Sequence, residues 1–287
     1  MATTKKAVVV CGPTASGKSK LSDALAEGLT GVYGGHIHTL AVDSIQVYRE
    51  IPAITNQARR RPAELVGIVS VTEEWTVARH QARAQGIIEG LNHPFVLDAG
   101  TGMYLNAILL DISLAPKVDA SVRLLAQRTT AGAPNPRRAS RAKELELAGN
   151  PGRGSIWDGD LRYNATVVYL RPRREALDAA ISGRSKRIVR DGREEAAKLR
   201  AMAEQGAVNA SVMNSIGVPE LIEHLEGKTT IEEAESRIST RTRQLARRQI
   251  RWFDKLVRAL EGRADVTVAE SPVDEGLLNY MHDIMKV

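Results

Sequence analysis

The sequence predicts an α/β fold: a parallel sheet flanked by helices, with a small helical insertion and a helical C-terminal part. Three observations predict it. The first ~110 residues alternate short apolar runs with amphipathic stretches, the order of a parallel sheet with crossover helices. The segment Gly12-Pro13-Thr14-Ala15-Ser16-Gly17-Lys18-Ser19 directly follows the first apolar run, and its G-x-x-x-x-G-K-S spacing is the phosphate-binding loop pattern. Between Ala115 and Trp157 the chain turns proline-, arginine- and glycine-rich before a strand-like run resumes at Thr166. The expected organisation is a P-loop NTPase-like α/β core over 1–114, a helical insertion over 115–165, and a return strand with a helical remainder over 166–287.

The elements follow in order. Ala7–Cys11 reads as the first strand and Lys18–Leu29 as the helix after the loop. His38–Val42, Val66–Val71 and Pro94–Leu97 read as further strands. Between the last two, Val77, Ala78, Ala82, Ala84, Ile87, Ile88 and Leu91 recur at helical spacing, so Val77–Leu91 is an amphipathic helix. Thr101–Leu110 reads as a short helix. Pro116, Pro134, Pro136 and Pro151 punctuate the insertion, which carries a helical piece around Arg137–Ala148. Thr166–Leu170 is the return strand, ended by Pro172. Helical stretches follow at Arg174–Val189, Arg193–Glu204 and Glu220–Leu225, with a long one from Ile231 to Leu260. The tail offers a strand at Ala264–Val268 and a helix at Gly276–Met285.

Composition narrows the class. The 287 residues carry a net charge of +6 and a pI near 9.5, which favours an anionic partner such as nucleic acid, nucleotide or diphosphate. The single cysteine, Cys11, allows no disulfide framework and suits a reducing compartment, with packing as its expected role. The apolar run after Lys6 is too short for a signal-peptide core, and no stretch approaches the ~20 apolar residues of a membrane span. The expectation is a cytoplasmic monomer with no membrane partner.

The loop defines a chemistry. Its glycines let backbone N–H groups turn toward phosphate oxygens, and the helix behind presents its positive N-terminus there. Gly12, Thr14, Ala15, Ser16, Gly17, Lys18 and Ser19 are thus the candidate phosphate-binding residues, for a di- or triphosphate that the loop alone does not show to be transferred, hydrolysed or expelled; Lys18 adds a point charge, and the Ser19 hydroxyl can hold Mg²⁺. The second strand ends in Asp43-Ser44-Ile45-Gln46-Val47-Tyr48-Arg49 and a later one in Asp98-Ala99-Gly100-Thr101-Gly102-Met103-Tyr104. Right-handed crossovers bring such strand ends to one crevice, where α/β proteins bind ligands. Asp43 there can ligate Mg²⁺ through water or act as a general base.

Together, G-P-T-A-S-G-K-S, D-S-I-Q-V-Y-R, A-G-T-G-M-Y and the late run from Arg241 to Phe253 (R-T-R-Q-L-A-R-R-Q-I-R-W-F) resemble the tRNA dimethylallyltransferase (isopentenyltransferase) family, from Val8 to roughly Leu256. The resemblance implies transfer of a dimethylallyl group from dimethylallyl diphosphate to the exocyclic amine of an adenine, with tRNA, next to the anticodon, as the favoured acceptor. It assigns Asp43 as the base that takes the amine proton, Arg184 as the arginine on the diphosphate, and Thr101 as a hydroxyl at the same site. Ser44, Gln46, Arg123, Arg138, Arg141, Arg247 and Arg248 become acceptor contacts. Arg241, Arg243, Arg247, Arg248 and Arg251 cannot share one helical face, so some must pack or pair; Trp252 and Phe253 are expected in the core.

The chain also departs from the family pattern. After Arg49, where the family shows a G-T-A-K-P-type segment and paired histidines, stand Ile54-Thr55-Asn56-Gln57-Ala58-Arg59-Arg60-Arg61-Pro62 and then Ala63-Glu64. Asp98 precedes the A-G-T-G element, and the stretch from Leu114 to Pro134 is short. The alternative acceptor is therefore a free adenine nucleotide or another small molecule. A P-loop small-molecule kinase is the rival among enzymes, distinguished by ATP turnover; an inactive RNA-binding protein is the rival outside catalysis, disfavoured by the joint presence of Lys18, Ser19, Asp43, Thr101 and Arg184.

Overall fold

The computed structural model describes residues 5–114, 118–134, 136–149, 155–273, 277 and 280. The valine-rich run Lys6–Cys11 forms β1, followed by the phosphate loop and helix α1, Lys18–Tyr33. Next come β2 (Thr39–Val42), a short turn of helix α2 (Pro52–Thr55), α3 (Val77–Glu89), β3 (Phe95–Ala99) and α4 (Gly102–Leu109). Helices α5 (Ala120–Thr129) and α6 (Pro136–Leu147) precede β4, Asn164–Leu170. The remainder is α7 (Arg174–Asp191), α8 (Arg193–Glu204), α9 (Ala210–Met213), α10 (Val218–Leu225), α11 (Ile231–Leu260) and β5 (Asp265–Ala269).

The strands make one sheet in the order β2-β3-β1-β4-β5, with all neighbours parallel. The central strands are buried on both sides, as a parallel sheet covered by helices requires: Val8, Val9, Val10, Val96, Leu97, Val167 and Val168 are all inaccessible or nearly so. Register places the site. Cys11 and Val42 both pair with Ala99, so Gly12, Asp43 and Gly100 each begin one residue beyond the same level of three adjacent strands.

The 30-residue α11 starts at a reciprocal cap: Glu233 N donates to Thr230 Oγ1 at 3.1 Å, and Thr230 N donates to Glu233 Oε2 at 2.8 Å. Its buried face, Ala234, Ile238, Thr242, Ala246, Phe253, Leu256 and Leu260, recurs at helical spacing. Phe253 is fully buried, as expected. No helix among the described residues is long and apolar enough to cross a membrane.

One compact unit runs to Leu109 and resumes at Leu161; the other spans Leu110–Asp160, where α5 packs on α6. The expected strand at Val66–Val71 is not formed. Leu65 and Gly67 take φ values of 67° and 61°, which break an extended run, and only a one-residue bridge, Tyr48 to Val69, remains. Helix α1 is four residues longer than expected and stops where Gly34 adopts a left-handed conformation. Helices α2, α5 and α9 were not among the expected elements. The expected helix Gly276–Met285 lies outside the described residues, apart from 277 and 280.

Candidate active site

The loop between β1 and α1 is shaped by close approach. A Cβ on Gly12, whose φ is 151°, would lie 2.4 Å from Leu170 O, so no larger residue fits there. Gly17 caps α1 and Lys18 opens it. Lys18 Nζ donates to Pro13 O at 2.8 Å, and Thr14 N donates to Gln249 Oε1 at 2.8 Å. Ser16 Oγ is buried with no partner, a polar atom in the loop left for a ligand. Burial pushes the Lys18 ammonium below its ordinary range; Asp98 and then Asp43 oppose that shift, and Arg184 adds to it. Burial likewise pushes the Cys11 thiol up to about 12, consistent with the packing role expected of it.

Asp43 divides its two oxygens between structure and cavity. Oδ1 accepts from Ile45 N at 2.8 Å and Gln46 N at 3.2 Å, which fixes the carboxylate. Oδ2 lies over Gly100, where an added Cβ would sit 3.0 Å from it and 3.9 Å from Lys18 Cε. The bare backbone of Gly100 leaves room for Asp43 Oδ2, and the Lys18 side chain borders the same spot. Thr101 Oγ1 accepts from Ser44 N at 3.1 Å, locking the third strand end to the second. Arg184, on α7, donates through Nη2 to Thr55 O at 3.4 Å. Burial lowers its pKa, while Asp43 raises it.

These groups surround one cavity of about 550 Å³, lined by Lys18, Ser19, Asp43, Gln46, Arg184 and Gln249, among others. A phosphate loop, a fixed carboxylate and a half-buried guanidinium thus meet at the C-terminal ends of three adjacent parallel strands. The IPP transferase family model matches residues 46–256, well over half of the chain. The chain belongs to the IPP transferase family.

Other likenesses agree. A tRNA dimethylallyltransferase of Rubrobacter xylanophilus is 59% identical over 285 residues, covering 98% of each chain. Among solved structures, a tRNA isopentenylpyrophosphate transferase of Bacillus halodurans superposes with a TM-score of 0.68 at 25% identity, covering 98% of this chain and 94% of that one. A eukaryotic dimethylallyltransferase acting on tRNA shares the fold, with a TM-score of 0.73 at 22% identity, covering 98% of this chain and 78% of that one. This IPP transferase is therefore an enzyme, a transferase on a P-loop α/β fold.

The cavity gathers Thr14, Ala15, Gly17, Lys18, Ser19, Asp43, Gln46 and Arg184. Gly12, Ser16, Ser44 and Thr101 stand behind them as loop and strand-end supports. Arg247 and Arg248 are exposed on α11 and are not among the residues lining the cavity. Of their neighbours, Arg241 pairs with Glu220, and Arg243 pairs with Asp178 at 3.1 Å, so the run divides into paired and exposed arginines as its spacing required. Trp252, expected in the core, is instead half-buried: it packs over Gly102 and donates to Asn106 Oδ1 at 3.2 Å. In the second unit, Arg123 is half-buried on α5, and Arg141 pairs with Glu144 at 2.7 Å. Arg138 lies on α6, with its side chain outside the described residues.

Two sets of residues were missed. Gln249 joins the phosphate loop to Gly100, its Nε2 donating to Gly100 O at 2.8 Å; the signal was its place in the late R-Q-I-R-W-F run. Arg59, Asp23 and Asp98 form a buried charged cluster on the same cavity. Asp98 had stood out in the sequence only for its position.

Proposed function

We propose that this IPP transferase moves the dimethylallyl group of dimethylallyl diphosphate to the exocyclic amine of an adenine in tRNA. The observation that carries this reading is the approach of Asp43 Oδ2 and Lys18 over Gly100, a proton acceptor beside a diphosphate cradle in one cavity. Prenyl transfer requires both at once.

The adenine amine is a weak nucleophile because its lone pair is delocalised into the ring. As its nitrogen bonds the allylic carbon, the carbon–oxygen bond to diphosphate breaks and one amine proton must leave. Asp43 Oδ2 takes that proton, while Oδ1 stays anchored by the amides of Ile45 and Gln46. Negative charge grows on the departing diphosphate. The loop N–H groups, Lys18 and Arg184 stabilise it there, and desolvation strengthens each of these contacts. Lys18 would exchange Pro13 O for a phosphate oxygen.

Mg²⁺ fits the residues present. Among the described residues no cluster of three or more His, Cys, Asp or Glu could hold a metal alone. The Ser19 hydroxyl on the cavity wall, with the diphosphate and water, supplies the hard oxygens that Mg²⁺ takes. When bound, the ion would neutralise charge on the leaving group.

The tRNA reading also draws on the exposed Arg247 and Arg248 and on the +6 net charge. We assign Arg123, Arg138 and Arg141 to acceptor contacts on the same reading, and take the working protein to be a cytoplasmic monomer. Incubation with labelled dimethylallyl diphosphate and, separately, bulk tRNA, AMP, ADP and ATP tests the assignment. Label in tRNA adenine is the expected result; label confined to a free nucleotide would move the acceptor to a small molecule.

A further inference from the structure

The cavity that must admit a diphosphate is lined by buried acids besides Asp43. Asp23 lies on α1 and Asp98 on β3, and both face the cavity that Lys18 and Arg184 share. Between them sits Arg59. Its Nη1 donates to Asp98 Oδ2 at 2.8 Å and its Nη2 to Asp23 Oδ1 at 3.1 Å. All three side chains are almost fully enclosed, Arg59 at 5% exposure, Asp23 at 6% and Asp98 at 4%. The segment carrying Arg59 is itself tied down, because the amides of Arg60 and Arg61 donate to Asp23 Oδ2 at 3.2 and 3.4 Å. Arg59 Nε is buried without a partner, so the guanidinium is held by its two terminal nitrogens alone.

Two enclosed carboxylates beside an anion site would repel the anion, since burial removes the water that would otherwise screen them. One guanidinium shared by both acids lets Asp98 stay near Lys18 without presenting a bare negative charge to the donor.

We propose that Arg59 is a positioning residue of the donor site: clamped between Asp23 and Asp98, it neutralises them and makes the cavity receptive to a diphosphate. This rests on the donor-site reading above. Arg59 acts through the two carboxylates rather than by touching the reacting atoms. Its loss weakens diphosphate binding, and removing the Asp98 charge as well restores that binding.

The test is titration calorimetry of the full chain with inorganic pyrophosphate and Mg²⁺, for wild type, Arg59→Met, Asp98→Asn and the double variant, alongside KM and kcat for dimethylallyl diphosphate. Arg59→Met should bind pyrophosphate on the order of 10–100-fold more weakly, with KM rising more than kcat falls. The double variant should recover most of the loss. Asp98→Asn alone leaves Arg59 in excess and should bind pyrophosphate at least as tightly as wild type, a comparison that stands even if Arg59→Met fails to fold. Unchanged binding by a folded Arg59→Met, no recovery in the double variant, or weaker binding by Asp98→Asn would overturn the proposal. Wild type that binds no pyrophosphate would contradict the donor site itself, a distinct outcome.

Discussion

Gln249 Oε1 accepts the Thr14 N–H at 2.8 Å, a hydrogen bond that spans 235 positions of sequence and ties the phosphate loop to α11. Because Gln249 Nε2 also donates to Gly100 O at 2.8 Å, one amide side chain fixes the spacing between the diphosphate cradle and the strand end beneath Asp43. Gln249→Leu keeps the volume but leaves the Thr14 amide and the Gly100 carbonyl without that partner. We expect kcat/KM for dimethylallyl diphosphate to fall about 10–100-fold, with stability lowered by about 1–3 kcal/mol. Steady-state kinetics with denaturant unfolding check both; wild-type kinetics in the variant would remove Gln249 from the site.

Lys18→Ala should weaken donor binding and turnover together, each by about 10–100-fold, because the ammonium acts on both the bound and the departing diphosphate. Transfer rates at subsaturating donor measure this. An undiminished rate would rule out the loop as the donor site.

Stability should fall with acid through His80. The ring is fully buried on α3, and Trp75 Nε1 donates to its Nδ1 at 3.1 Å. Burial pushes the imidazole down to about 4 from an ordinary value of 6.5. Between those values the unfolded chain binds the proton and the folded chain does not, so the stabilisation is present above the unfolded pKa and is lost as pH falls toward 4. The shift corresponds to about 3 kcal/mol over that window. Urea unfolding of wild type and His80→Gln across pH 7 to 4 should show a shallower slope in the variant. Parallel slopes would remove His80 as the cause.

If tRNA is the acceptor, its affinity should fall steeply with salt, and the exposed Arg247 and Arg248 should contribute. A double alanine variant should lower the log–log salt slope by about two, one for each phosphate no longer neutralised. A filter-binding salt series reads this directly, and an unchanged slope would place the tRNA elsewhere.

Much of the site was legible because its parts are contiguous in sequence. The phosphate loop, Asp43 and the Gly100-Thr101 pair are each a strand end followed by a turn, and parallel strands bring such ends together. Helix α5 was not legible because its apolar residues do not mark a buried face: Leu124 and Leu125 are exposed, and Ala126 is its buried residue. The Val66–Val71 error came from reading apolar composition as extension, where positive φ at Leu65 and Gly67 turns the chain. Arg59, Asp23 and Asp98 lie on three separate segments, and only folding makes them one cluster. Arg59 and Asp98 belong to two of the stretches in which the chain departs from the family pattern, and the structure pairs them at 2.8 Å.

The division of labour between Asp43 and the phosphate loop is tested most directly by single-turnover transfer from preloaded dimethylallyl diphosphate in wild type and Asp43→Asn, with donor affinity measured by calorimetry on a non-reactive diphosphate analogue. The amide keeps the size of the carboxylate but cannot take the amine proton. The account predicts a transfer rate lower by roughly 10²–10⁴-fold with donor affinity unchanged. A variant that transfers at the wild-type rate, or that loses donor affinity as severely as rate, would contradict it.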